Sequence, residues 1–281
     1  LAGTLFVVGT PIGNLGDITL RAADTLRSAR RIAVEDTRRT RMLLSHLGIA
    51  RVPLHVLEAH APDSAIETVV RQLVAGDDVA LVTDAGMPTV SDPGARLVRA
   101  AASRGIAVRV VPGPSAVTAA AAVSGLVDGP FWFAGFLPRR GSRRDKLIAR
   151  ISEFPEPVLL FEAPQRTQAT LSDLGRVMPT RRASVCRELT KMFEETTSGT
   201  LEELARRTEW RGEVCIVLGS RRDDPEGAGE DDAALQARIA EGVGAGATTK
   251  TLIARLGPGT VLSRRELYAR IEAERERQGR G

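Results

Sequence analysis

Short apolar runs alternate with amphipathic stretches from the beginning of the chain. Thr4–Val8 (TLFVV), Arg31–Glu35 (RIAVE), Val52–Leu57 (VPLHVL), Asp78–Thr83 (DVALVT) and Ile106–Val111 (IAVRVV) have the aliphatic, β-branched content of strands. Several are apolar at nearly every position, as in strands covered on both faces. Between them, Leu20–Leu26, Arg38–Leu47, Ser64–Leu73 and Ala95–Ser103 space their apolar residues as helices do. Strand, helix, strand with short connections predicts a mainly parallel sheet flanked by helices, an α/β domain spanning 1–127.

Asp128-Gly129-Pro130 interrupts this rhythm, and a second α/β domain is expected over 128–220. Its strands should lie near Phe131–Gly135, Pro157–Phe161, Ala183–Glu188 and Glu213–Gly219. The polar, Gly-rich stretch from Arg221 to Asp232 reads as a linker. A small helical extension over 233–281 follows, with helices at Ala233–Ala240, Thr248–Leu256 and Ser263–Arg275. Ser263 and Glu266 have capping-box spacing for the last one.

Composition narrows the class. The 43% hydrophobic and 26% charged content is that of a globular protein, and at 4% aromatic the core must be aliphatic. A net charge of +4 only slightly favours an anionic partner. Cys186 and Cys215 stand alone inside apolar runs and read as buried thiols, not as a disulfide or zinc framework. With no long apolar span and no secretory layout, a reduced, cytoplasmic protein with no membrane association is expected. His46, His55 and His60 lack metal-ligand spacing, so no metal is expected.

Four Gly/Pro loops follow strands, where open α/β sheets bind their ligands. They are Gly9–Asp17, Thr83–Gly94, Pro112–Ala116 and Phe161–Pro164. Their spacing matches neither a dinucleotide fingerprint nor a P-loop. Asp92 followed by Pro93 predicts a helix start, and Pro114 and Pro164 stand near two others. Glycine lets backbone approach a ligand, and N–H groups at helix starts bind its anionic edges.

The strings TLFVVGTPIGNLGDIT, AVEDTRRTRMLLSHLGI, LVTDAGMPTVSDPG, VVPGPSA, FEAPQR and CRELTKMFEE, in this order, resemble the ribosomal RNA small subunit methyltransferase I family of the tetrapyrrole methylase-like superfamily. The resemblance runs from about residue 3 to 220. It implies two α/β domains of the tetrapyrrole methylase (class III methyltransferase) type with S-adenosyl-L-methionine in the cleft between them, usually in a homodimer. It also implies 2′-O-methylation of a cytidine ribose in the decoding region of 16S rRNA in the small ribosomal subunit. Carried onto this chain, the cofactor residues are Gly9, Pro11, Gly13, Asp84, Gly86, Met87, Pro88, Val90, Ser91, Ser115, Ala116, Phe161, Glu162, Ala163, Glu213 and Val214. Arg211-Gly212-Glu213 stands where the family more often has Lys-Gly-Glu. Two alternatives differ in chemistry: methylation of a tetrapyrrole carbon, and a non-catalytic ribosome-binding protein on an enzyme scaffold.

Transfer from a sulfonium to a ribose hydroxyl needs alignment and help with the departing proton. Lys191, Glu188 and Glu35 are the candidates. Lys191 either lowers the hydroxyl's pKa by its charge or, if burial lowers its own pKa, acts as base. A plain salt bridge among Glu188, Lys191 and Glu194 is the structural alternative. Glu35-Asp36 either bind substrate or cap a helix beginning at Thr37. For RNA phosphates the candidates are Arg139, Arg140, Arg143, Arg144 and Lys146, then Arg38 and Arg39. The alternative for both groups is a solvated charged face.

Overall fold

A computed structural model describes every residue except 50, 222–231, 258–261, 263 and 280–281. Its first lobe runs β1 (Thr4–Val8), α1 (Leu20–Ser28), β2 (Arg31–Val34), α2 (Thr37–His46), β3 (Leu54–Val56), α3 (Asp63–Val74), β4 (Val79–Leu81), α4 (Ala95–Ala102) and β5 (Ala107–Val111). The strands form one sheet in the order β3-β2-β4-β1-β5, parallel throughout. Both faces are buried: Leu5, Ala33, Val69 and Leu81 belong to one apolar cluster and Val8, Leu26, Ile32 and Val82 to the other. That two-sided burial is why these strands read as continuous apolar runs. Edge strand β5 differs, with Ala107 to Val110 exposed and only Val111 buried.

The chain continues through α5 (Ala116–Ser124), β6 (Trp132–Phe136), α6 (Ser142–Glu153), β7 (Val158–Glu162), α7 (Pro164–Val177), β8 (Arg182–Arg187), β9 (Glu195–Thr200), α8 (Leu201–Ala205) and β10 (Val214–Leu218). The second sheet has the order β6-β7-β10-β8-β9, and only β6 and β7 are parallel. α6, α7 and α8 cover one face over Ile151, Leu160, Leu171, Leu174, Val185 and Ile216. Arg181, fully buried, donates to the carbonyls of Ile151, Phe154, Glu156 and Gly219, tying helix end to sheet.

α5 covers the other face. Its Val117 and Ala120 pack on Leu159, Cys186, Cys215 and Val217. The change of lobe therefore falls in the loop at 112–115, not at the Asp128 interruption, because α5 buries its small apolar face on the second sheet. Cys186 and Cys215 face each other across β8 and β10, both buried and free, and burial pushes both thiols up from their ordinary value.

The C-terminal helices α9 (Asp232–Gly244), α10 (Thr249–Leu256) and α11 (Arg264–Gly279) share a core of their own, made of Leu235, Ile239, Leu252, Leu256, Leu267 and Ile271. Most of the expected linker, and the expected cap Ser263, lie outside the described residues. No helix among the described residues is long and apolar enough to cross a membrane.

One predicted helix start is displaced. α4 begins at Ala95 with Gly94 at its N-cap in the left-handed region (φ 118°), so Asp92 and Pro93 belong to the preceding turn. A Cβ at Gly94 would also meet the Leu81 side chain at 2.8 Å. The turn is set by close packing on β4, which overrides the local Asp-Pro signal.

Candidate active site between the two lobes

The loops at the strand ends of both sheets surround a cavity of about 350 Å³. The first lobe contributes Ile12, Ala85, Gly86, Met87, Val90, Ser91 and Asp92. Ser115, Ala116 and Val117 come from the start of α5. The second lobe adds Phe136, Phe161, Glu162, Ala163, Pro164, Cys186, Leu189, Glu213, Val214 and Cys215. The walls are apolar, and Phe136 and Phe161 set their rings 5.5 Å apart at 57°. Ser115 caps α5 without a side-chain hydrogen bond, which leaves the first-turn N–H groups to an anion at the cavity wall.

The loop over 84–94 holds strained backbone. Thr89 (φ 73°) and Ser91 (φ 66°) occupy the left-handed region without being glycine. Such conformations cost on the order of 1 kcal/mol each and persist where surrounding structure enforces them. Here a bridge between Thr10 and Gly86, with N···O distances of 2.9 and 3.1 Å, pins the loop to the end of β1.

Several residues expected at the cofactor do something else. Gly9 does not line the cavity: a Cβ there would lie 2.7 Å from Gly113 and from the Met87 sulfur, so its bareness serves backbone packing. Pro88 is buried away from the lining. Glu162 lines the cavity, but its carboxylate is consumed by Arg166, the Ala163 N–H and the Thr170 hydroxyl at 2.6 Å. Four donor contacts from the second lobe thus fix this carboxylate in place. Sequence reasoning missed Asp92, Val117, Phe136, Pro164, Leu189 and both cysteines as lining; the cysteines and Phe136 carried only the apolar signal of any strand.

Pro11, Gly13 and Asp84 face a second cavity of about 390 Å³, which shares Ile12, Ala85 and Glu213 with the first. Lys191, Arg39, Thr83, Leu15 and Met42 also line it. Lys191 reaches it between two carboxylates, donating to Glu188 at 2.9 Å and Glu213 at 3.0 Å. Gly13 makes room for the lysine stem, since a Cβ there would stand 2.5 Å from its Cγ. The expected third partner, Glu194, accepts instead from the Thr190 N–H at 2.7 Å.

Burial works against the Lys191 charge, yet the two carboxylates outweigh it and hold its pKa above the ordinary lysine value. Burial likewise opposes ionisation of Glu188, but the Glu213 N–H and Lys191 keep its carboxyl below the usual range. Lys191 is therefore a fixed cation. The reading of it as a base required the opposite shift and is set aside.

Glu35 stands near this wall without lining it, accepting from the Thr83 hydroxyl at 2.7 Å. Asp36 is the cap of α2, accepting from the Arg38 N–H at 2.7 Å. Asp84 accepts from the Asp36 N–H at 3.1 Å, and burial, with the charge of Glu35, raises its carboxyl above the ordinary range. Asp92, half-buried beside it, is pushed up to about 6 by burial and by the charges of Glu35 and Asp84.

The expected phosphate-binding arginines separate into two kinds. Arg139, Arg140, Arg143 and Lys146 are exposed around the start of α6. Arg144 is not available: its guanidinium is buried against Asp173 (2.8 Å), the Pro138 carbonyl (3.0 Å) and the Thr170 hydroxyl (3.0 Å). Helical periodicity turns this one member of the cluster inward with Ile148 and Ile151. Arg38 is exposed and paired with Asp36, while Arg39 leans on Asp84 at 3.5 Å. His46 and His60 are exposed and His55 half-buried, and among the described residues no group of His, Cys, Asp or Glu gathers as metal ligands do.

A family model described as Tetrapyrrole (Corrin/Porphyrin) Methylases matches residues 4–205. A protein from Xylella fastidiosa named Ribosomal RNA small subunit methyltransferase I is 44% identical over 246 residues, covering 85% of this chain and 86% of that one. One of the same name from Bacillus subtilis is 37% identical over 272 residues, covering 95% and 93%. Among solved structures, a diphthine synthase superposes with a TM-score of 0.60 at 19% identity, covering 77% of this chain and 89% of that one. Uroporphyrin-III C-methyl transferase from Thermus thermophilus, complexed with S-adenyl homocysteine, gives 0.55 at 21%, covering 77% and 97%. At those identities the structural likeness speaks for the fold alone.

Proposed function

The chain belongs to the ribosomal RNA small subunit methyltransferase I family within the tetrapyrrole methylases, and from that premise we propose that it methylates the ribose 2′-oxygen of a cytidine in the decoding region of 16S rRNA. S-adenosylmethionine is the methyl donor, and when bound it supplies an electrophilic methyl group on a sulfonium. The observation that carries the reading is the pair of adjacent cavities with Ile12, Ala85 and Glu213 in both walls, one apolar and one holding a fixed cation.

The first cavity suits the donor. Phe161, Val90 and Val214 offer apolar surface for a purine, and the bare start of α5 at Ser115-Ala116 offers N–H groups to a carboxylate tail. The second cavity takes the acceptor nucleotide. There the Lys191 ammonium favours the ionised form of a nearby hydroxyl and so eases loss of its proton. Asp84 takes that proton. Apart from Glu213, which is tied to Lys191, it is the carboxylate on this wall. Glu188 holds Lys191, and Glu35 keeps Asp84 basic through its charge.

The exposed run Arg139, Arg140, Arg143 and Lys146 serves the RNA backbone in this reading, as do Arg38 and Arg39 at the second cavity. Assembly as a homodimer belongs to it as well and is read directly by light scattering. The test is transfer of label from S-adenosylmethionine, with small ribosomal subunits, free 16S rRNA and a tetrapyrrole carboxylate offered in parallel. Label is expected in the RNA. Label in the tetrapyrrole, or no binding of the donor by calorimetry, would overturn the proposal.

A further inference from the structure

Between β8 and β9 the chain makes a tight turn whose tip is apolar and exposed. Met192 is 90% and Phe193 69% exposed, immediately after Lys191. The turn is held firmly. The Lys191 N–H donates to the Glu188 carbonyl at 2.9 Å and the Glu194 N–H to the Lys191 carbonyl at 3.1 Å. The Thr190 hydroxyl accepts from the Asn14 N–H of the first lobe at 3.1 Å. Glu188 (φ 50°) and Thr190 (φ 67°) sit in the left-handed region, so strained backbone is maintained to present this tip.

Single exposed apolar side chains are ordinary. Here two are adjacent, on a rigid turn, and the second cavity beside them has Leu15 (38% exposed) and Met42 (70% exposed) in its wall. The same wall holds the Lys191 ammonium and the Arg39 guanidinium, each beside carboxylates of Glu188, Glu213 or Asp84. A partner with a flat apolar face matches the tip, and one with polar edges meets these charged side chains. A nucleotide has both, and enzymes that act on one nucleotide of a structured strand commonly take it out of its stack. The base then loses its stacking neighbours and needs a new surface, which RNA-binding proteins commonly supply with an aromatic ring.

We propose that Phe193, with Met192 beside it, is a stacking platform for the unstacked base of the acceptor nucleotide. This rests on the RNA reading given above and adds the residue that receives the base. Neither side chain lines the cavity that suits the donor.

The test uses the full chain as F193A, F193L, F193W and M192A, with small ribosomal subunits as acceptor. F193A and F193L should each raise KM about tenfold, the scale of losing one base–aromatic stack. F193W should stay within about threefold of the parent, M192A should have the smaller effect, and donor affinity should be unchanged throughout. An F193L with the parental KM would overturn the proposal, since any apolar group would then suffice. Dissociation of a dimer by F193A would overturn it too, assigning the tip to contact between copies. Should the parent methylate no small-subunit RNA, the RNA reading itself fails. The platform is then judged by the emission that F193W adds to that of Trp132 and Trp210 in the parent, on titration with a single-stranded RNA oligonucleotide: quenching beyond the parent's supports it, and quenching equal to the parent's overturns it.

Discussion

Gly212 and Glu188 occupy space that only a glycine at 212 permits: a Cβ there would lie 2.3 Å from the Glu188 carboxyl carbon. Gly212 also has φ 78°. The glutamate lies across the chain at this point and accepts from the Glu213 N–H and the Lys191 ammonium, each at 2.9 Å. Gly212→Ala should therefore displace Glu188 and loosen Lys191. We expect kcat to fall about tenfold while the donor Kd stays unchanged, since the residue acts through the lysine. Steady-state kinetics and calorimetry decide it; an unchanged kcat would show that Lys191 needs no such support.

Lys191 itself acts by charge. Lys191→Met should lower kcat on the order of 10²–10³-fold, as removal of a preorganised charge does, and Lys191→Arg should retain part of the rate. Its pKa is raised above the ordinary lysine value, so it stays protonated between about pH 7 and 9 and contributes no titration limb there. A rate that climbs through that range in the parent and loses its climb in Lys191→Arg would make it the base after all.

Arg144 and its neighbours in sequence should part company under mutation. Arg144→Ala leaves the Pro138 carbonyl and the Thr170 hydroxyl without their buried donor, while Asp173 keeps Arg176, and should cost about 2 kcal/mol of stability. The triple change Arg139→Ala, Arg140→Ala, Arg143→Ala should leave stability within about 0.5 kcal/mol and raise KM for small subunits, by the larger factor at low salt, because fewer phosphate contacts make binding less salt-dependent. Denaturant unfolding and salt-dependent kinetics distinguish the two. A stable Arg144→Ala with a raised KM would restore Arg144 to the RNA surface.

Asp92 gives a stability effect with a defined sign. Its carboxyl titrates at about 6 in the folded chain, against about 3.9 when unfolded. The folded state thus binds the proton more tightly, and stability falls as pH rises from about 4 to about 6, with the full cost present above that. Asp92→Asn removes the cost. Its Tm should exceed that of the parent by about 3 °C at pH 7.5, and the gain should vanish near pH 4. Equal melting at pH 7.5 would mean that Asp92 is ionised without penalty.

The first lobe was readable because its strands are buried on both faces and its helices on one, so hydrophobic periodicity alone marks them. The second lobe hid more, β9 and α6 among its elements. β9 reads ETTSGT, a half-exposed edge strand with no apolar run, and its pairing to β8 supplies what the sequence does not advertise. α6 reads SRRDKLIARISE and buries an arginine among its core residues, so its charges mask the apolar face. The strand-end loops announced a ligand site, but not which glycines face it. Gly9 and Gly13 are neighbours in one motif, yet one makes room for backbone and the other for the stem of Lys191. Such distinctions depend on what crosses from the other lobe, which no local pattern records.

The most direct measurement is mass mapping of ribose methylation in 16S rRNA from cells with and without this gene, with purified chain and labelled donor added back to the unmethylated subunits. The account predicts one cytidine in the decoding region that lacks its 2′-O-methyl group without the gene and regains it on addition. Identical maps, or label recovered on a base, would contradict it.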